Sequence, residues 1–131
     1  MTETRTVGDV MTPNPVWIVD SASLAEAAGL LESHRITGLP VLDASGSLVG
    51  VLSQTDLVRA KADPRLSANW RGLAVEAVMT KPALTIGTTA TISDAARLMD
   101  ECRVHRLVVT DESSKPIGII SASDLVRSWL G

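Results

Sequence analysis

The sequence predicts an α/β fold built from two βαββα units. Three observations carry that expectation. The 131-residue chain matches itself at an offset of 68 residues. Each copy passes through short apolar strands and a helix-spaced apolar stripe in the same order. The composition, 45% hydrophobic and 21% charged, suits one globular domain and not a disordered chain. A chain near this size buries about two-thirds of its unfolded surface, enough for a core. Aromatics are 2%, namely Trp17, Trp70 and Trp129, so that core is aliphatic and the three indoles read as packing or interface residues.

The repeat is gapless. From Val10 to Arg59, 19 of 50 positions are identical to Val78 to Arg127. Val10-Met11-Thr12 returns as Val78-Met79-Thr80, and Asp56-Leu57-Val58-Arg59 as Asp124-Leu125-Val126-Arg127. The expected division is an N-terminal extension at 1–9, a first repeat at 10–61, a linker at 62–77 and a second repeat at 78–131. Asp63-Pro64 and Arg71-Gly72 punctuate the linker.

Within each copy the elements follow in order. Val16 to Val19 is an apolar run that fits a buried strand. A helix then opens at Ser23-x-x-Glu26, or Thr91-x-x-Asp94 in the second copy, both at capping-box spacing. Its stripe is Leu24, Ala27, Ala28 and Leu31, matched by Ile92, Ala95, Ala96 and Met99. Strands at Leu39–Leu42 and Leu48–Leu52 flank the turn Asp43-Ala44-Ser45-Gly46. A last helix begins near Ser53, and its mate near Ser121 runs to an exposed Trp129 and Leu130. At about 55 residues, neither half has much core of its own.

Several functions are excluded as expectations. Twelve basic against fifteen acidic residues give a net charge of −3, the wrong sign for binding duplex phosphates. So few aromatics also leave no stacking platform for single strands. No apolar run is long enough to span a membrane, and Met1 to Asp9 lack a signal-peptide core. A single cysteine, Cys102, cannot form an intramolecular disulfide, which suits a reducing cytoplasm. Cys102 reads as a small buried hydrophobe, and with His34 and His105 it falls short of a zinc ligand set. Gly-x-Ser-x-Gly, a Walker loop and His-Glu-x-x-His are all missing, so no enzyme is expected.

The informative segment is the junction of last strand and last helix: Gly50-Val51-Leu52-Ser53-Gln54-Thr55-Asp56 and Gly118-Ile119-Ile120-Ser121-Ala122-Ser123-Asp124. Glycine permits close backbone approach, and a helix N-terminus offers unpaired N–H groups. A carboxylate there suits a vicinal diol such as a ribose. Ser-x-x-Asp is equally a capping box, and the two uses are compatible.

These paired units, each opening with Val-Met-Thr and closing with Gly-h-h-Ser-x-x-Asp (h, hydrophobic), resemble cystathionine-beta-synthase (CBS) domains in tandem, a Bateman module. Asp20-x-x-x-Leu24-x-x-Ala27-x-x-x-Leu31 and Ile36-x-x-Leu39-Pro40-Val41-Leu42-Asp43 support the resemblance. It implies two units packed with pseudo-two-fold symmetry, often as a homodimer, and clefts between them that take AMP, ADP, ATP or S-adenosylmethionine as ligand, with no cofactor. Carried over, Asp56 and Asp124 hold ribose hydroxyls, and Ser53, Thr55, Ser121 and Ser123 lie beside phosphate or ribose. Thr12 and Val16, with Thr80 and Leu84, line the approach to the first strand, and Ile36 and Val104 touch the base. His105-Arg106 contact phosphate, where the first copy has only Thr37-Gly38. The alternative for Arg106 is a surface ion pair, and Pro40 becomes Val108 in the second copy, a departure from the pattern. The expected function is a stand-alone regulatory module that senses adenosine nucleotides and signals to an unidentified partner protein. The rival is a structural dimerisation module with vestigial clefts.

Overall fold

The computed structural model describes residues 5–131; residues 1–4 of the expected extension, and of the stretch read for a signal peptide, lie outside the described residues. In chain order the elements are α1 (Val7–Val10), β1 (Thr12–Pro13), β2 (Ile18–Val19), α2 (Leu24–His34), β3 (Gly38–Leu42), β4 (Leu48–Ser53) and α3 (Gln54–Ala62). After 3-10 turns at Ser67–Gly72 and Val75–Ala77 come β5 (Thr85–Gly87), α4 (Ile92–Cys102), β6 (Arg106–Thr110), β7 (Pro116–Ser121) and α5 (Ala122–Leu130). The mixed α/β class and the two repeats are as the sequence reads. The strand expected from Val16 is shorter, because only Ile18 and Val19 find partners, on Val41 and Leu42.

Residues 16–83 form one compact unit. Its sheet has the order β2-β3-β4, with β2 and β3 parallel across the α2 crossover and β3–β4 an antiparallel hairpin. The apolar stripe of α2 supplies Leu24, Ala27 and Leu31 to a core shared with Leu39, Val41, Leu52 and Leu57. The segment after α3 packs on the same core through Leu66, Trp70, Leu73 and Val75, and the Trp70 indole N–H donates to the Leu57 carbonyl at 2.9 Å.

Residues 84–131 form the other unit, together with residues 5–15. Its sheet runs β1-β7-β6-β5, and Ile92, Ala95, Met99, Leu107, Val109, Ile120 and Leu125 make its core. Val7, from the first helical turn of the chain, is fully buried in that core.

The opening segments are therefore interleaved with the repeats. Residues 5–15, which run into the first repeat, add β1 to the sheet of the second, and residues 75–80, which run into the second, dock on the first through an isolated bridge between Thr80 and Val51. Their bonding is equivalent at the 68-residue offset. Val7 N–H donates to the Ala90 carbonyl and Val75 N–H to that of Ala22, each at 2.8 Å. Gly8 donates to Thr88 and Glu76 to Asp20, each at 3.0 Å. Thr12 pairs with Ile119, and Thr80 with Val51. The docking needs two glycines. A Cβ on Gly50 would stand 2.8 Å from both the Met79 sulfur and the Thr80 carbonyl oxygen, and one on Gly118 would collide with the Met11 sulfur.

At Thr91–Asp94 both halves of the expected capping box form, whereas at Ser23–Glu26 only one half does, Ser23 Oγ accepting from Glu26 N–H at 3.1 Å. Backbone and hydroxyl hydrogen bonds from Thr91 hold the Asp94 carboxyl below its ordinary range. One expectation fails: Cys102 is exposed, because it lies at the end of α4 beyond Met99, the last residue of the buried stripe.

Candidate functional site

Each unit carries one strand-to-helix junction, and both Ser-x-x-Asp motifs are complete capping boxes. In residues 16–83, Ser53 N–H donates to Asp56 Oδ2 at 2.9 Å while Asp56 N–H donates to Ser53 Oγ at 3.2 Å. In the other unit, Ser121 N–H reaches Asp124 Oδ2 at 2.9 Å and Asp124 N–H reaches Ser121 Oγ at 3.1 Å. Both carboxylates are buried, at 3% exposure for Asp56 and 7% for Asp124. They tolerate burial because each is hydrogen-bonded.

The two junctions differ in how full the carboxylate is. A carboxylate accepts about four hydrogen bonds. Asp56 takes Ser53 N–H and Oγ on Oδ2, then Thr80 Oγ1 at 3.0 Å and Arg59 at 3.3 Å on Oδ1. Among the described residues, Asp124 takes Ser121 N–H on Oδ2 and Arg127 at 3.1 Å on Oδ1, so about half its acceptor capacity remains. The second carboxylate thus keeps acceptor capacity that the first has used.

The fourteen expected site residues fall into two groups. Val16, Ile36, Ser53, Thr55, Asp56 and Thr80 lie in residues 16–83, with Val16 and Ile36 packed against its core. Thr12, Leu84, Val104, His105, Arg106, Ser121, Ser123 and Asp124 lie in the other unit, with Leu84 and Val104 packed against its core. Thr12 therefore stands beside β7, and Thr80 beside Asp56. Thr55 and Ser123 occupy the first turns of α3 and α5 and are exposed.

At the start of β6, Arg106 is the cross-strand partner of Ser121, and the His105 carbonyl accepts from Ala122 N–H at 2.8 Å. Both residues thus adjoin the junction. Strand alternation sets Leu107 and Val109 toward the core, so Arg106 faces the other side with Val108. His105, Ala122, Val104, Met99, Asp100 and Arg103 line a depression of about 720 Å³. Arg103 escaped the sequence reading, although its identity with Arg35 across the repeat was a usable signal. The Asp56–Arg59 and Asp124–Arg127 contacts have a similar signal, an acid and a base three residues apart on a helix. Among the described residues, no group of three or more His, Cys, Asp or Glu could hold a metal ion, and no helix is long and apolar enough to cross a membrane.

With that geometry in hand, comparison with known proteins gives consistent matches. The CBS domain model fits residues 7–63 and again 75–131. The chloroplastic CBS domain-containing protein CBSX2 of Arabidopsis thaliana is 34% identical over 151 aligned positions, covering 95% of this chain and 63% of that protein. The chain thus spans under two-thirds of that relative's length. A crystal structure of CBSX2 in complex with AMP superposes with a TM-score of 0.82 at 38% identity, covering 96% of each chain. A CBS domain pair crystallised with methylthioadenosine and S-adenosyl-L-methionine gives a TM-score of 0.86 at 25% identity, covering 98% of each.

Proposed function

The chain belongs to the CBS-domain family, with two copies of the domain, and on that premise we propose that it is a regulatory module that binds adenosine nucleotides at its strand-to-helix junctions. The observation that carries this reading is the part-filled, buried Asp124 carboxylate beside Arg106 and His105. Two free acceptor positions suit the 2′ and 3′ hydroxyls of a ribose. A guanidinium on the next strand suits a phosphate. The complexes of related CBS pairs with AMP and with S-adenosylmethionine support the ligand class. Asp56, satisfied by Thr80 and Arg59, has little left to offer, so the second junction is the principal site. Ser121, Ser123 and Thr12 border it, and Val104 offers an apolar contact to the base.

Regulation on this reading runs through a partner protein and a homodimer, since a ligand shifts an equilibrium only by preferring one state. The exposed Val126, Trp129 and Leu130 on α5 supply the apolar surface for self-association. The motifs support binding and not catalysis, and the single cysteine suits a reducing compartment such as the cytoplasm. A thermal-shift panel of AMP, ADP, ATP and S-adenosylmethionine, with acid extraction of the purified protein for co-purified nucleotide, tests the reading. It stands if an adenosine compound raises the melting temperature and falls if none does.

A further inference from the structure

We propose that Arg103 is a phosphate-selecting residue of the second junction, a role that rests on the nucleotide reading above. The first argument is conformational. Arg103 is the C-cap of α4 with φ 56° and ψ 46°, in the left-handed region. Glycine is the ordinary occupant there, because a Cβ carries a steric penalty in that conformation. Arg35 occupies the same position at the end of α2, with φ 54° and ψ 47°. An arginine thus twice takes a place that glycine would fill at lower cost. Attraction to the helix dipole does not account for it. A cation at the preceding position, where Cys102 and His34 stand, gains the same interaction on a helical backbone. A residue held in an unfavourable region points to what its side chain does.

The second argument is placement. Arg103 lines the depression of about 720 Å³ with His105 and Ala122, against an apolar surface from Met99 and Val104. The Ala122 N–H bond to the His105 carbonyl ties that wall to the first turn of α5, the turn that presents Asp124. Asp100 is the one acid among the lining residues and Arg103 the one permanent cation; Arg106, at the start of the adjoining strand opposite Ser121, is not among them. Arg35 lacks this setting, because Thr37 occupies the register of His105. Arg103 therefore selects a phosphate-bearing ligand, and Arg35 does not.

The experiment is calorimetric titration of the full chain with AMP, comparing wild type with Arg103→Gln, Arg103→Lys, Arg103→Gly and Arg35→Gln. Arg103→Gln keeps the backbone penalty and removes the charge. It should weaken AMP about tenfold or more, the usual worth of one charge-assisted hydrogen bond. Arg103→Lys should keep most of the affinity, and Arg35→Gln all of it. Arg103→Gly should weaken AMP equally while its unliganded melting temperature is no lower than wild type, which separates lost affinity from lost fold. The proposal is overturned if Arg103→Gln binds AMP within about twofold of wild type, or if Arg35→Gln loses as much. A wild type that binds no AMP, ADP or ATP overturns the nucleotide reading, and Arg103 with it.

Discussion

Thr80 donates its hydroxyl proton to Asp56 across 24 residues of sequence, at 3.0 Å to Oδ1. It does so from the Val-Met-Thr segment that opens the second repeat, onto the helix start that closes the first. Thr12, its counterpart and equally exposed, makes no such bond to Asp124, which is left with acceptor capacity.

That relationship predicts an asymmetric pair of substitutions. A hydrogen bond to a charged group contributes about 1.5–3 kcal/mol when one partner is removed. Thr80→Val should therefore lower unfolding free energy by roughly that amount, and Thr80→Ser should restore most of it. Thr12→Val should stay within about 0.5 kcal/mol of wild type. Urea denaturation of the three variants checks it, and equal losses at the two threonines would remove the distinction between the junctions.

Asp124→Asn separates capping from binding. Asparagine at this N3 position keeps an amide oxygen that can accept from Ser121 N–H, so the unliganded protein should lose about 1 kcal/mol or less. At a hundredfold excess of AMP over Kd, wild type should gain about 2.7 kcal/mol, which is several degrees for a domain of this size. The Asp124→Asn variant should lose most of that gain, and Arg106→Ala should lose it for AMP while adenosine is little affected. Thermal melts with and without ligand report both numbers.

Val7→Ala and Val75→Ala should cost about the same, roughly 2 kcal/mol each. Both valines are fully buried and each anchors one opening segment, although Val7 lies within the first ten residues of the chain. Chemical denaturation gives the comparison. A negligible loss at Val7 would mean that the opening segment contributes little to its unit.

How much of this was legible follows from what a pattern can encode. The two helices, the hairpin and its turn, and both capping boxes were readable because each is fixed by neighbours within about seven residues. The identity Val7/Val75 even marked the opening segments as equivalent, upstream of Val10. Equivalence does not say which core a segment covers. Val7 meets Ala90 across 83 residues, and no local period reports that contact. Cys102 went astray for the opposite reason, since its residue type favours burial while its position past the stripe forbids it. Arg103 carried one signal, its identity with Arg35 at the 68-residue offset, but the feature that sets it apart is a dihedral angle, which residue type does not report.

Acid should weaken the fold through exposed capping and turn carboxylates. Backbone and hydroxyl bonds from Thr6 and Thr91 lower Asp9 and Asp94, and Ser45 and Ser47 do the same for Asp43. A carboxyl lowered on folding adds stability above its unfolded value, and that contribution disappears as pH falls through the folded value. Melting temperature should therefore be flat near neutrality and drop between about pH 4 and pH 2, and the drop should be shallower in Asp94→Asn. A melt series across that range is the check.

Self-association should depend on α5. Trp129 and Leu130 are 56% and 84% exposed, large apolar surfaces for a helix end. Light scattering at tens of micromolar should give a dimer mass, and the double change Trp129→Ser with Leu130→Ser should give a monomer with an unaltered far-ultraviolet spectrum. A wild-type monomer mass would rule the dimer out.

The interleaved opening segments also set a timetable for the growing chain. Every piece of the unit at residues 16–83 has been synthesised once Ala83 is in place. Residues 5–15 come earlier, yet their partners at 84–131 come last. At about 5–20 residues per second, Val7, Val10 and Met11 wait several seconds with their apolar side chains uncovered. Residues 5–15 are thus made before the unit at 16–83 and buried after it.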